Sequence, residues 1–160
     1  MEEKYLVFVY GTLMSEYWNN RLLKQGGAEL IGKGETTNSF IMLASGSNGI
    51  PFVADFTPET YPTQFWLENC TQIQGEVWKV DAKTLYALDG LEGHPNWYKR
   101  EEIVIKTDES RVINRSTYGI PIESNLLTAW CYLMPLTDKQ MKDRGSYPIV
   151  VASGDYNDLP

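Results

Sequence analysis

Short apolar runs recur along this chain, and most are bounded by glycine, proline or small polar residues. Runs of this length that are rich in aromatic and β-branched residues predict strands. The first run is aromatic and β-branched throughout and ends at Gly11. The predicted strands cover residues 4–10, 28–36, 39–44, 50–56, 72–80, 99–107 and 126–134.

Two segments carry the signals of helices. Ser15 is expected to cap a helix over residues 16–25, which Gly26 would terminate. Asp81 is expected to cap a second helix beginning at Ala82. A further helical turn or two is predicted over residues 137–144.

The remaining segments are polar or turn-rich. Residues 57–71 are expected to form a loop, and residues 108–124 a flexible region or an insertion. A regular alternation of strand and helix is missing, so a doubly wound parallel sheet is not expected. The order of elements favours one α+β domain over residues 1–160, with a small, mixed, β-barrel-like sheet and helices packed outside.

Charge and cysteine content narrow the classes of partner. Lys and Arg number 14 against 21 Asp and Glu, a net charge of −7, and no basic stripe is present. Binding to nucleic acid or to an anionic membrane surface is therefore not expected. No apolar run is long enough for a membrane span or a signal sequence, so the expected compartment is the cytosol. Cys70 and Cys131 match no metal spacing and are expected to be free thiols.

The sequence lacks the residues that several kinds of catalytic site require. His94 is the only histidine, and no Gly-x-Ser-x-Gly elbow accompanies it. One histidine and two scattered cysteines do not supply a zinc site, and no phosphate-binding glycine motif occurs. His94 is most simply a loop residue between Gly93 and Pro95.

Glu92 is the carboxylate with the most informative position. It follows Leu85 by seven residues and Leu88 by four, which places it on the apolar face if the predicted helix continues. A buried carboxyl has a raised pKa and can transfer protons near neutral pH. The alternative is a glutamate at a frayed helix end that caps the backbone or pairs with Lys99 or Arg100.

The second candidate is the sequence Tyr10-Gly11-Thr12-Leu13 after the first strand. Gly11 would let the backbone approach a ligand closely, and consecutive N–H groups could bind an anion. The alternative is an ordinary corner between a strand and a loop.

Taken together, these four residues and the sequence Leu-Asp-Gly-Leu-Glu-Gly-His-Pro-Asn-Trp-Tyr-Lys-Arg at 88–100 resemble the γ-glutamyl cyclotransferase-like family, which includes AIG2-like proteins. The resemblance covers most of residues 5–105 and is looser in 108–124 and after Pro135. It implies a β-barrel-like fold with a pocket at its mouth. It also implies that Glu92 is the acid/base residue and that Tyr10, Gly11, Thr12 and Leu13 hold the substrate.

The reaction that the resemblance implies is the cyclisation of a small γ-glutamyl substrate to 5-oxoproline, without a cofactor or a metal. A γ-glutamyl amine is the expected substrate, and another γ-glutamyl compound such as a γ-glutamyl amino acid is the nearest alternative. Two further alternatives are a non-catalytic member that binds a metabolite or a partner protein, and an unrelated hydrolase in which Glu92 activates water.

The C-terminal residues 146–158 carry an apolar run at Ile149, Val150 and Val151. A disordered tail would not contain so much apolar surface. We expect the tail to pack across or near the mouth of the pocket. The alternative is an extra edge strand away from the chemistry.

Overall fold

Five strands close into a barrel in the computed structural model, which describes residues 3–44, 49–55, 64–135 and 149–159. Within these residues the strands are β1 Lys4–Val9, β2 Glu29–Thr36, β3 Met42–Ala44, β4 Pro51–Val53, β5 Gln74–Asp81, β6 Lys99–Arg115, β7 Pro121–Leu133 and β8 Ile149–Val150. The α-helices are α1 Asn20–Gln25, α2 Gln64–Asn69 and α3 Ala82–Glu92, and a 3₁₀ turn covers Tyr156–Asp158.

The barrel has the order β1–β5–β2–β6–β7 and is closed by β7 against β1. The closing pair is parallel, at Val7 and Trp130, and the other pairs are antiparallel. A smaller sheet has the order β4–β3–β8. The predicted fold class, α+β with a mixed barrel-like sheet, is confirmed.

The two faces of β1 enter different apolar clusters because side chains alternate along a strand. Val7 and Val9 pack in a cluster that includes Leu23 of α1 and Leu88 of α3. Phe8 and Tyr10 pack instead with barrel residues such as Val77, Ile105 and Leu133 in a second cluster of buried side chains. Helices α1 and α3 therefore cover the outside of the barrel, and the second cluster fills its interior.

Helix α3 begins at a side-chain cap and ends before a glycine. The side chain of Asp81 accepts a hydrogen bond from the Thr84 N–H at 2.7 Å, so the predicted cap is confirmed. The helix continues through Glu92, and Gly93 follows with φ of 66°, a left-handed conformation that favours glycine. Glu92 is thus the last helical residue before a sharp turn.

The predicted helix over residues 16–25 is wrong at its start. Residues 11–19 form successive turns, and α1 begins only at Asn20, after Asn19 in the capping position. Ser15 does not cap it, because its N–H and hydroxyl both bind the Glu76 carboxylate, each at 2.8 Å. Ser15 therefore binds a carboxylate that is distant in sequence instead of capping the helix.

The loop predicted over residues 57–71 is wrong in its second half, where α2 forms from Gln64 to Asn69. Residues 57–63, the strand end predicted at Phe56 and the helical turns predicted over residues 137–144 lie outside the described residues.

A two-stranded ribbon replaces the flexible region or insertion predicted over residues 108–124. Strands β6 and β7 continue past the barrel and pair as far as Arg115 with Pro121. Ser116 closes the turn, because its N–H donates to the Ile120 carbonyl and its carbonyl accepts from the Gly119 N–H, both at 2.9 Å. The polar composition reflects two exposed strand faces rather than irregular structure.

The described part of the tail forms an edge strand. Ile149 and Val150 pair with Ala44 and Leu43 of β3. The following residues fold back on the segment after β1, since the Tyr17 hydroxyl donates to Asn157 Oδ1 at 2.5 Å. Cys70 and Cys131 are both free thiols, as predicted. Across the described residues, every helix is too short or too polar to cross a membrane.

Two glycines allow a matched test of this packing. A Cβ at Gly75 would lie 2.3 Å from the Val9 carbonyl oxygen and 2.7 Å from a Phe8 ring carbon, whereas one at Gly90 of α3 meets nothing within 4 Å. Gly75→Ala should lower the free energy of unfolding by about 1–3 kcal/mol. Gly90→Ala should raise it by about 0.5–1 kcal/mol. Urea unfolding of both variants checks this, and a Gly75→Ala protein as stable as wild type would contradict the packing described.

Candidate active site

A cavity of about 60 Å³ opens where the end of β1, the start of β4 and the end of α3 meet. The residues lining it are Phe8, Val9, Tyr10, Gly11, Thr12, Leu13, Ile50, Pro51, Glu92, Tyr98 and Tyr132. All five residues singled out from the sequence, at positions 10–13 and 92, are brought together here.

Glu92 is largely buried at the cavity wall, and burial raises the pKa of its carboxyl to about 7. Its two neighbouring cations are engaged elsewhere. Lys99 lies 3.5 Å from Glu101, and Arg100 lies 2.8 Å from Asp89. The alternative in which Glu92 pairs with Lys99 or Arg100 is therefore not what the structure shows.

The backbone around Glu92 is closed tightly on both sides. The His94 N–H donates to the Asp89 carbonyl at 2.9 Å, and the Tyr98 N–H donates to the Glu92 carbonyl at 3.1 Å. These bonds satisfy carbonyls that a helix end would otherwise leave without partners. The main chain of Glu92 is thereby fixed while its carboxyl faces the cavity.

Tyr10 contributes to the cavity with its hydroxyl already engaged. The hydroxyl donates to the Tyr132 carbonyl at 2.7 Å and accepts from the Val53 N–H at 3.2 Å. Burial raises the pKa of this phenol well above its usual value. Tyr10 therefore joins β1 to both β7 and β4 as a neutral side chain.

Gly11 is required by packing as well as by the ligand approach expected from the sequence. A Cβ at this position would lie 2.8 Å from Pro51 Cγ. Any larger residue would push β4 away and displace Pro51, which lines the cavity. The glycine thus sets the distance between the 10–13 loop and the opposite wall.

Two asparagines at the start of α1 hold the loop. Asn19 Nδ2 donates to Thr12 Oγ1 at 2.8 Å, and Asn20 Nδ2 donates to the Leu13 carbonyl at 2.7 Å. Among the described residues, no acceptor is paired with the backbone N–H groups of positions 11–13. The loop is therefore held through its side chains and carbonyls, and three consecutive donors remain at the cavity.

Other residues of the site have no strong signal in the sequence. Tyr98 lines the cavity and donates its hydroxyl to the Pro51 carbonyl at 3.2 Å. Tyr132 lies in β7, where one more aromatic residue in a strand indicates only a core position. Asp89 and Arg100 belong to the 88–100 motif, but only the fold shows that they pair with each other.

The tail residues of the described part do not line this cavity. Asp155 and Asn157 lie instead at a separate cavity with Ser15, Tyr17 and Glu76. For these residues the structure favours the edge-strand alternative over a cover for the mouth.

The fold and the cavity define a small barrel protein in which a titratable carboxyl lies beside a loop with unpaired backbone donors. Comparison with known proteins is more specific. The family described as "Gamma-glutamyl cyclotransferase, AIG2-like" matches residues 7–158, and the chain belongs to that family of cyclotransferase enzymes.

Relatives of known name and structure agree with this membership. A protein of Methanocaldococcus jannaschii with the provisional name gamma-glutamylcyclotransferase is 34% identical over 95% of both chains. Human gamma-glutamylaminecyclotransferase is 31% identical over 66% of this chain and 65% of its own. The crystal structure of a mouse AIG2-like protein shares the fold, with a TM-score of 0.65 at 21% identity, covering 87% of this chain and 83% of that one.

The raised pKa of Glu92 predicts a pH-dependent stability. The native carboxyl holds its proton to about pH 7, whereas the unfolded chain releases it near about pH 4.3. This group therefore stabilises the fold most at low pH, and its contribution is lost as the pH rises through that window. Glu92→Gln avoids the loss, so its free energy of unfolding relative to wild type should rise by up to roughly 3 kcal/mol from pH 4 to pH 8.

Urea unfolding at both pH values measures this difference. Glu102→Gln, which removes an exposed carboxylate from β6, is the matched control for the loss of one negative charge. The same difference between Glu92→Gln and wild type at pH 4 and pH 8 would contradict a raised pKa.

Proposed function

We propose that this protein is a γ-glutamylamine cyclotransferase, which cyclises a γ-glutamyl amine to 5-oxoproline and releases the free amine. The observation that carries the proposal is the position of Glu92, whose carboxyl has a pKa of about 7 and shares one cavity with the 10–13 loop. Membership of the cyclotransferase family supports the reaction class.

The chemistry requires one group that first accepts and then donates a proton. Glu92 takes a proton from the substrate α-ammonium, and the free amine attacks the γ-carbonyl carbon. The new C–N bond closes a five-membered ring, and the carbonyl becomes a tetrahedral oxyanion. Glu92 then gives the proton to the leaving nitrogen as the old C–N bond breaks, and the ring nitrogen gives up its second proton to the released amine or to water. A carboxyl with a pKa of about 7 suits both steps near neutral pH.

The 10–13 loop supplies the complementary electrostatics. The three unpaired N–H groups of Gly11, Thr12 and Leu13 are suited to bind an anionic oxygen, either the substrate α-carboxylate or the developing oxyanion. Because Asn19 and Asn20 hold the loop beforehand, these donors need little rearrangement when the substrate binds. Nucleophile and electrophile lie in the same molecule, so the reaction needs no cofactor.

The leaving group is an amine in this proposal because relatives from human, rat and frog carry the name gamma-glutamylaminecyclotransferase. The second candidate is the same cyclisation on a γ-glutamyl amino acid. It is favoured by the archaeal relative, which covers nearly the whole chain and whose name specifies no amine.

Glu92→Gln should abolish turnover while the protein still folds. Glutamine preserves the shape of the side chain but cannot accept the α-ammonium proton, and a general acid/base contributes about 10²–10⁴-fold. The release of 5-oxoproline measures the effect, with the exposed Glu102→Gln as the control. Activity within threefold of wild type would rule out Glu92 as the acid/base residue.

Substrate choice is tested with γ-glutamyl-ε-lysine, γ-glutamyl-alanine and glutathione, each scored for 5-oxoproline. The proposal expects the highest kcat/KM for γ-glutamyl-ε-lysine. A preference for γ-glutamyl-alanine would support the second candidate. No product from any of the three would exclude both.

A further inference from the structure

A largely buried ion pair lies one helical turn before Glu92. Arg100 binds Asp89 through two parallel bonds, Nε to Oδ1 at 2.8 Å and Nη2 to Oδ2 at 3.1 Å. The Asp89 and Arg100 side chains are 17% and 19% exposed. Bidentate geometry and low exposure separate this pair from ordinary surface ion pairs, which contribute little.

The pair ties the end of α3 to the barrel wall. Tyr132 of β7 donates its hydroxyl to Asp89 Oδ1 at 2.6 Å. The Arg100 N–H on β6 donates to His94 Nδ1 at 3.0 Å, and its guanidinium lies 4.5 Å from the Trp130 ring centre. Three elements therefore meet at one carboxylate.

The same pair sets the charge beside Glu92. Residues three apart on a helix have Cβ atoms about 5–6 Å from each other, so Asp89 and Glu92 are neighbours. An unbalanced carboxylate at that distance disfavours ionisation of the second one. Arg100 supplies the balancing positive charge.

Burial keeps three other titratable side chains near Glu92 neutral at pH 7. Burial raises the pKa of Tyr10, Cys131 and Tyr132 above their usual values. Tyr98 lines the same cavity, and His94 accepts from Arg100. Asp55 is a further charge near the site, since it acts on Cys131 as Glu92 does. The Asp89–Arg100 pair is the one that lies a single helical turn from Glu92.

We propose that Arg100 is a positioning residue for the reaction: by holding Asp89 it fixes the end of the helix that carries Glu92 and cancels the carboxylate charge beside it. The catalytic part of this inference rests on the proposed function, and the electrostatic part does not. The pair thus acts on the reacting carboxyl without contacting the substrate.

Removing the positive charge of Arg100 and removing the negative charge of Asp89 should shift the pKa of Glu92 in opposite directions. Arg100→Gln leaves Asp89 unbalanced and should raise the pKa of Glu92 by about half a unit or more. Asp89→Asn leaves Arg100 unbalanced and should lower it by a similar amount. The double variant should return close to wild type. A merely structural role predicts shifts in the same direction, or none.

The measurement is a ¹³C NMR titration of the Glu92 carboxyl, assigned by its absence in Glu92→Gln. Glu29→Gln, which removes one charge from the exposed Lys79–Glu29 pair at 3.7 Å, should leave the Glu92 titration unchanged. The acidic limb of the pH profile of kcat/KM should move with the NMR value in each active variant.

The outcomes separate the two proposals. If the two variants shift the NMR-measured pKa of Glu92 in opposite directions but no substrate yields 5-oxoproline, the electrostatic inference is retained and the proposed function is rejected. If the wild type forms 5-oxoproline but the two variants shift the pKa of Glu92 in the same direction or not at all, the proposed function is retained and the role of Arg100 is overturned. If Arg100→Gln does not fold, Asp89→Asn decides, since an unchanged or raised pKa of Glu92 in that variant overturns the inference.

Discussion

The placement of one carboxyl in a poorly hydrated position, with no cation paired to it among the described residues, is the constraint on which the site depends. Burial disfavours the charged form of Glu92, and the resulting pKa of about 7 is the property that a proton-transferring group needs. Such a placement opposes stability above the pKa of an exposed carboxyl, so the surrounding structure must hold the residue in place. The left-handed Gly93 and the two bonds to the Asp89 and Glu92 carbonyls provide that hold.

The helix side and the loop side of the cavity differ in which of their polar groups are paired. On the helix side, backbone groups are satisfied and one side-chain carboxyl is left without a partner among the described residues. On the loop side, Asn19 and Asn20 bind the Thr12 hydroxyl and the Leu13 carbonyl, and among the described residues the backbone donors of positions 11–13 are left open. A titratable carboxyl therefore shares one cavity with a set of backbone donors.

The sequence predicted the parts of this structure that local pattern controls. The strands, the Asp81 cap and the apolar face that carries Glu92 follow from periodicity, since each depends on residues close in sequence. The start of α1 did not follow, because Glu76 from β5 binds Ser15 across 61 positions. The β6–β7 ribbon was missed for another reason: both of its faces are solvated, so its strands lack the alternation that marks a half-buried strand.

The site shows the same division. Residues 10–13 and 92 could be singled out because their neighbours have a recognisable pattern, whereas Tyr98 and Tyr132 become site residues only when the barrel closes. Arg100 illustrates the limit most clearly. In the sequence Arg100 is close enough to Glu92 to be its partner. In the folded protein it pairs with Asp89 instead. Had Arg100 paired with Glu92, the attraction would have lowered the pKa of that carboxyl and left it ionised at neutral pH. A carboxylate of that kind would accept the α-ammonium proton only weakly, so the choice of partner by Arg100 decides whether the cavity can support the proposed reaction.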